Sequence, residues 1–83
     1  MKRNGASKMA RMIHVAAPGD AMVHTIAVEA GQQVRSADVV VVLESAAGQL
    51  PMVAGVAGTV AEVSVNTGDL VHAGDPLVVI VED

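Results

Sequence analysis

The side chains that could carry chemistry are three histidines, His14, His24 and His72, and two aspartates, Asp38 and Asp75. The histidines lack the spacing of metal ligands, and we expect them at solvent-facing positions of strands. Each aspartate lies in a turn just before an apolar stretch, where its carboxylate can accept hydrogen bonds from backbone N–H groups. No Ser/His/Asp set and no phosphate-binding glycine loop accompanies them. The sequence therefore predicts no catalytic residue and no metal site.

Amine nucleophiles are confined to the beginning of the chain. Lys2 and Lys8 lie with Arg3 and Arg11 in residues 1–13, which contain no acid and carry +4, whereas residues 14–83 hold nine acids against Arg35 and carry −8. We predict a basic, flexible extension over residues 1–12 and a folded domain over residues 13–83. Because that domain is acidic and lacks aromatic side chains, it is a poor candidate for binding nucleic acid.

The sequence contains an internal repeat with an offset of 37 residues. Its matched positions are Val23 with Val60, Ile26 with Val63, Val28 with Val65, Gly31 with Gly68, Val34 with Val71 and Asp38 with Asp75. Between the two copies lies the stretch 43–52, which we interpret as a hairpin. If a pseudo-twofold axis relates the copies, the tip of this hairpin over residues 45–49 lies at the opposite end of the domain from the chain termini.

Apolar composition predicts an all-β domain. The chain has 17 valines, no cysteine and no aromatic residue, so aliphatic packing in a small sheet protein must stabilise it. Apolar runs between turn residues predict strands over 12–17, 22–28, around 34, and over 39–44, 49–54, 59–65, 70–71 and 77–81. The unbroken apolar run of the fourth strand indicates burial on both faces or a bulge, and Gly31 is expected to adopt a positive φ.

Charged residues, proline and glycine interrupt every apolar stretch. The longest run without charge covers residues 45–61 and contains Pro51 and three glycines, which is too short and too broken to span a bilayer. We therefore expect a soluble cytoplasmic protein without a membrane partner.

The repeat and the hairpin together resemble the biotinyl/lipoyl attachment domain family over residues 13–82. The resemblance rests on Val23, Ile26, Val28, Gly31 and Val34, on the run from Val40 to Ser45, on Pro51, on Gly58-Thr59-Val60, and on Gly68, Asp69, Val71, Gly74, Asp75 and Leu77. It implies a flattened β-barrel or sandwich, a barrel-sandwich hybrid, built from two four-strand halves related by a pseudo-twofold axis.

The hairpin tip departs from the pattern of that family. Biotin carrier domains normally read Glu-(Ala/Ser)-Met-Lys-Met there, and the lysine receives the cofactor. This chain keeps Glu44-Ser45 and continues with Ala46-Ala47-Gly48, so the resemblance assigns Ala47 to the position of the lysine. Alanine has no amine to acylate, so we expect no cofactor. Two origins fit, a natural loss or an engineered loop, and three consecutive departures favour the natural loss.

Ser45 is the remaining nucleophile at the tip. A phosphopantetheine arm is normally attached at the start of a helix, and no helical periodicity surrounds Ser45, so we do not expect attachment there.

The resemblance and the missing amine lead to two hypotheses. In the first, the chain is a non-catalytic small subunit or interaction module, unmodified, whose partners are larger protein subunits of a multi-subunit, carboxylase-like complex. In the second, it is a biotin carboxyl carrier protein whose Met-Lys-Met tip was altered. Either way it is not itself an enzyme.

Overall fold

Two antiparallel four-stranded sheets form the domain. The computed structural model describes residues 11–83, and the prediction of a flexible basic extension falls mainly on residues 1–10, outside the described part. The strands are β1 (Met12–Ala16), β2 (Ala21–Ile26), β3 (Gln33–Val34), β4 (Val39–Ser45), β5 (Gly48–Val53), β6 (Gly58–Val63), β7 (Leu70–Val71) and β8 (Pro76–Glu82). Within residues 11–83 no helix is long and apolar enough to cross a membrane.

Strands from both halves of the sequence mix in each sheet. One sheet has the order β1-β8-β6-β3 and the other β5-β4-β2-β7. The sequence repeat reappears in the strand registers. Val23 of β2 pairs with Leu43 of β4, and the residues 37 positions later, Val60 of β6 and Ile80 of β8, also pair with each other. The predicted flattened barrel of two pseudo-twofold-related halves is therefore confirmed.

Aliphatic side chains from both sheets meet in one core. The side chains of Val23, Leu43, Leu77 and Ile80 are fully excluded from solvent. At about 25 cal/mol per Å² of buried apolar surface, each such side chain contributes roughly 1.5–3 kcal/mol to folding. Because no polar or charged residue of the described part is buried, this core depends on apolar packing.

β4 combines a buried run with a bulge. Val40 and Val41 are adjacent and both fully buried, and the register with β5 shifts between Val39 and Val41. The bulge lets two consecutive side chains face the core, which strict alternation along a strand forbids. Of the two alternatives for this run, the bulge is the one observed.

Turns also agree with the sequence. Gly31 has φ 93°, as predicted, and Gly68 at the matched position has the same value. The Oδ2 atoms of Asp38 and Asp75 each accept a hydrogen bond, at 2.9 Å, from the backbone N–H three residues earlier. The turn role predicted for both aspartates is confirmed.

The strand registers place the β4–β5 turn at one end of the domain, which we call the tip end. β1 runs from Met12 beside Val81 towards Pro18-Gly19-Asp20, and β2 then starts beside the end of β4. The other end, which we call the terminal end, holds Arg11 and the last residues, Glu82 and Asp83.

Candidate functional site: the tip end

A two-residue turn, Ala46-Ala47, joins β4 to β5, and both residues are exposed. The last pair of the ladder is Ser45 with Gly48. Neither alanine has a positive φ, whereas Gly48 has φ 118°, a conformation that glycine adopts at little cost. This glycine therefore supplies the left-handed backbone that closes the hairpin.

The Ser45 hydroxyl is part of the turn. Its Oγ donates a hydrogen bond to the carbonyl oxygen of Gly48 at 3.1 Å and accepts one from the N–H of Ala47 at 3.2 Å. Both contacts fix the conformation of the two-residue loop, as short polar side chains do in turns. The described contacts give Ser45 a structural role and supply no base to activate it as a nucleophile.

The tip end and the terminal end differ at one matched position of the repeat. At Gly58, an added Cβ would lie 2.1 Å from the carbonyl oxygen of Val81, so only glycine fits beside β8. The position matched to Gly58 in the repeat is Ala21. Gly58 pairs with Glu82, whereas the β2–β4 ladder starts one residue later, at Met22 and Glu44, so that Ala21 and Ser45 do not pair with each other.

Ala21-Met22-Val23 therefore stands in the first half where the second half has Gly58-Thr59-Val60. The fold is kept, and the β2–β4 ladder is one pair shorter than the β6–β8 ladder. A shallow recess of 380 Å³ lies there, and Ala21, Ser45, Ala46 and Leu70 are among its lining residues.

Asp20 and His72 close one side of the recess. Their Oδ1 and Nδ1 atoms lie 2.9 Å apart, which joins the β1–β2 bend to the residue after β7. The hydrogen bond and the negative charge of Asp20 raise the pKa of His72 above its usual value. This contact connects positions 52 residues apart in sequence, and sequence reasoning missed it.

The three histidines are exposed, but they differ in setting. His14 lies in β1 and His24 in β2, as expected for solvent-facing strand positions. The interpretation of His72 needs correction, since it follows β7 and its side chain is engaged by Asp20. Within residues 11–83 no three His, Cys, Asp or Glu side chains form a group that could hold a metal ion.

Comparison with known proteins identifies the family. A model of the biotin/lipoyl domain family, described as biotin-requiring enzyme, matches residues 11–80. The "Biotinylated protein TB7.3 homolog" of Mycobacterium leprae is 47% identical over 60 residues, which cover 72% of this chain and 84% of that protein.

Solved structures show the same fold. A single-chain, multi-domain long-chain acyl-CoA carboxylase aligns with a TM-score of 0.80 and 29% identity over 87% of this chain. The urea carboxylase of Kluyveromyces lactis aligns with a TM-score of 0.80 and 24% identity over 86% of this chain, a likeness of fold alone. The match spans only 7% and 6% of those two chains, so it concerns one domain-sized part of each.

Proposed function

This chain belongs to the biotinyl/lipoyl attachment family, and from that membership we propose that it is an unmodified, non-catalytic member. It serves as a small subunit or interaction module of a larger, multi-subunit, carboxylase-like complex in the cytoplasm. The observation that carries the proposal is the exposed Ala46-Ala47 turn at the apex of the β4–β5 hairpin.

Attachment of biotin or lipoate to a protein of this family requires an amine at the hairpin. In the proposal, Ala47 stands where relatives carry the acceptor lysine, and its methyl group cannot form an amide. The two lysines of the sequence are Lys2 and Lys8, far in sequence from the hairpin. Ser45 does not substitute for the amine, because its hydroxyl hydrogen-bonds within the turn.

A domain without a cofactor can still act by binding. Cofactor carriers supply an anchor, an orientation and a recognisable surface, while the cofactor and the partner enzymes supply the chemistry. This chain retains the barrel and the hairpin and has no amine at the turn. The acyl-CoA carboxylase that shares its fold at 29% identity supports larger carboxylase subunits as its partners.

Intact mass after co-expression with a biotin protein ligase and biotin tests the absence of modification. The wild-type chain is expected to keep its unmodified mass. Addition of one biotinyl group to residues 11–83, located by peptide mapping, would contradict the proposal. A known biotin carrier domain expressed beside it shows that the ligase is active.

The second candidate is a biotin carrier whose attachment segment was altered. It is favoured by Glu44-Ser45 and Pro51, which fit the carrier pattern, and by the 47% identity to a protein named as biotinylated. The triple variant Ala46→Met, Ala47→Lys, Gly48→Met tests it. Efficient biotinylation of that variant would support an altered carrier, and the matched variant with Ala47→Arg controls for the shape of the tip without an acceptor amine.

A further inference from the structure

Apolar side chains occupy solvent-facing positions beside the tip. Met22 and Leu70 form a cross-strand pair of β2 and β7 on the outer side of their sheet, next to Ala46 of the turn. Leu70 is 76% exposed and Met22 is 37% exposed. We call Met22, Leu70 and Ala46 the tip face.

The repeat supplies an internal comparison for these three positions. Their counterparts 37 residues away are Thr59, Gln33 and Asp83, at the terminal end. There the Thr59 hydroxyl donates to Oε1 of Gln33 at 3.3 Å, and Nε2 of Gln33 donates to Oδ2 of Asp83 at 3.0 Å. Because the same fold positions accept a polar, hydrogen-bonded set, folding does not require apolar residues at the tip face.

A recess adjoins the tip face on the same side. It lies beside Ala21 and Ser45, just beyond the first pair of the β2–β4 ladder, and its volume of 380 Å³ exceeds that of an aliphatic side chain. Leu70 and Met22 line it together with Ala46. An inserted apolar side chain would cover surface that is otherwise exposed to water.

Acidic side chains border the recess at this end. Asp20 and Glu44 both line it, and His72, which lines it too, contacts Asp20. The two arginines of the described residues, Arg11 and Arg35, lie at the terminal end, where Arg11 is 3.8 Å from Glu82 and Arg35 follows the β3 pair of Val34 with Gly58. The carboxylates at the tip end would therefore attract a partner segment that carries lysine or arginine, and neither Arg11 nor Arg35 lies there to repel it.

We propose that the tip face and its recess form a docking surface for a protein segment that presents an apolar side chain flanked by lysine or arginine. This deepens the proposed function, on which it rests, by naming the surface through which the module binds its complex. Apolar burial supplies affinity, and the acidic border of Asp20 and Glu44 selects for basic flanks and makes association sensitive to salt.

The test uses an amphipathic helical peptide whose apolar face is leucine and whose polar face is lysine, titrated into the ¹⁵N-labelled full chain. We expect amide shifts to concentrate at Met22, Ala46 and Leu70, to weaken at high salt, and to be absent with a leucine–glutamate peptide. Shifts that avoid these residues, or that persist with the glutamate peptide, would overturn the proposal.

Variants copied from the repeat sharpen the test. Met22→Thr with Leu70→Gln places the terminal-end residues at the tip face, and affinity for the lysine peptide should fall roughly tenfold, as at a binding hot spot. The control, Met12→Gln, copies Gln49 and removes an apolar side chain that is 56% exposed at the terminal end. Its affinity should match the wild type, and an equal loss in both variants would overturn the proposal.

A second arm separates this proposal from the proposed function. The wild-type chain is titrated onto a purified biotin-dependent acyl-CoA carboxylase whose carrier is a separate chain. Binding that the Met22→Thr, Leu70→Gln variant loses supports both proposals, and binding that it retains overturns the docking surface alone. No binding to the carboxylase, with the lysine peptide still mapped to the tip face, contradicts the proposed host and supports the surface.

Discussion

Gly58 is the position at which the fold should tolerate change least. It is buried in β6 between β3 and β8, and it pairs with Val34 on one side and Glu82 on the other. A methyl group there would lie 2.1 Å from the carbonyl oxygen of Val81, which belongs to the backbone and cannot rotate away. Gly58→Ala must therefore push β6 and β8 apart.

The size of the effect follows from that displacement. Forcing atoms into a packed site costs about 1–3 kcal/mol, and loss of the Gly58 to Glu82 pairing removes hydrogen bonding worth roughly 0.5–1.5 kcal/mol per bond. We expect a loss of about 2–4 kcal/mol. For a domain of this size each kcal/mol shifts Tm by roughly 4–8 °C, so Tm should fall by at least about 8 °C.

Far-ultraviolet circular dichroism is the suitable assay, because the chain has no tryptophan or tyrosine to report unfolding by fluorescence. The matched control is Gly19→Ala, since no atom lies within 4 Å of a Cβ built there and its φ is not left-handed. The control should change Tm little. If Gly58→Ala melts with the wild type, the close approach to Val81 does not constrain the fold.

Three further predictions concern the core, a turn and the tip. Leu43→Ala empties a fully buried site and should cost about 2–5 kcal/mol, so a chemical unfolding curve that does not move would contradict the packing described. Asp38→Ala removes the acceptor for the Arg35 N–H and should lower the free energy of unfolding by about 0.5–1.5 kcal/mol. Asp38→Asn keeps an acceptor oxygen and should lower it less. Equal losses of stability in the two variants would argue against the hydrogen bond. Asp20→Asn should lower the pKa of His72 in an NMR titration, because Asp20 raises that pKa. The stabilisation from this contact is fully present below the ordinary histidine pKa and is lost as pH rises through the raised pKa. A pKa of His72 that does not change in the variant would refute the contact.

The repeat is what made the fold predictable. Matched valines at an offset of 37 residues predicted two equivalent halves, and the strand pairs reproduce that offset. Glycine and aspartate were equally informative, because a positive φ at Gly31 and a backbone acceptor at Asp38 are local requirements. Such features are readable from sequence since they involve neighbouring residues.

What the sequence did not reveal depends on distant contacts. Nothing in the local pattern links Asp20 with His72, which meet only when the β1–β2 bend reaches β7. The missing pair of Ala21 with Ser45 was also missed, because it depends on how strands distant in sequence approach each other. Several strand ends shifted by one or two residues; β8, for example, starts at Pro76, where a proline is tolerated at the first residue of a strand.

The most direct test of the unmodified module is the intact mass of the endogenous chain, purified from its native cells without overexpression and without added ligase. The account predicts the mass of the bare polypeptide, after ordinary processing of its N-terminus. A biotinyl or lipoyl group on any residue of the β4–β5 hairpin would contradict it.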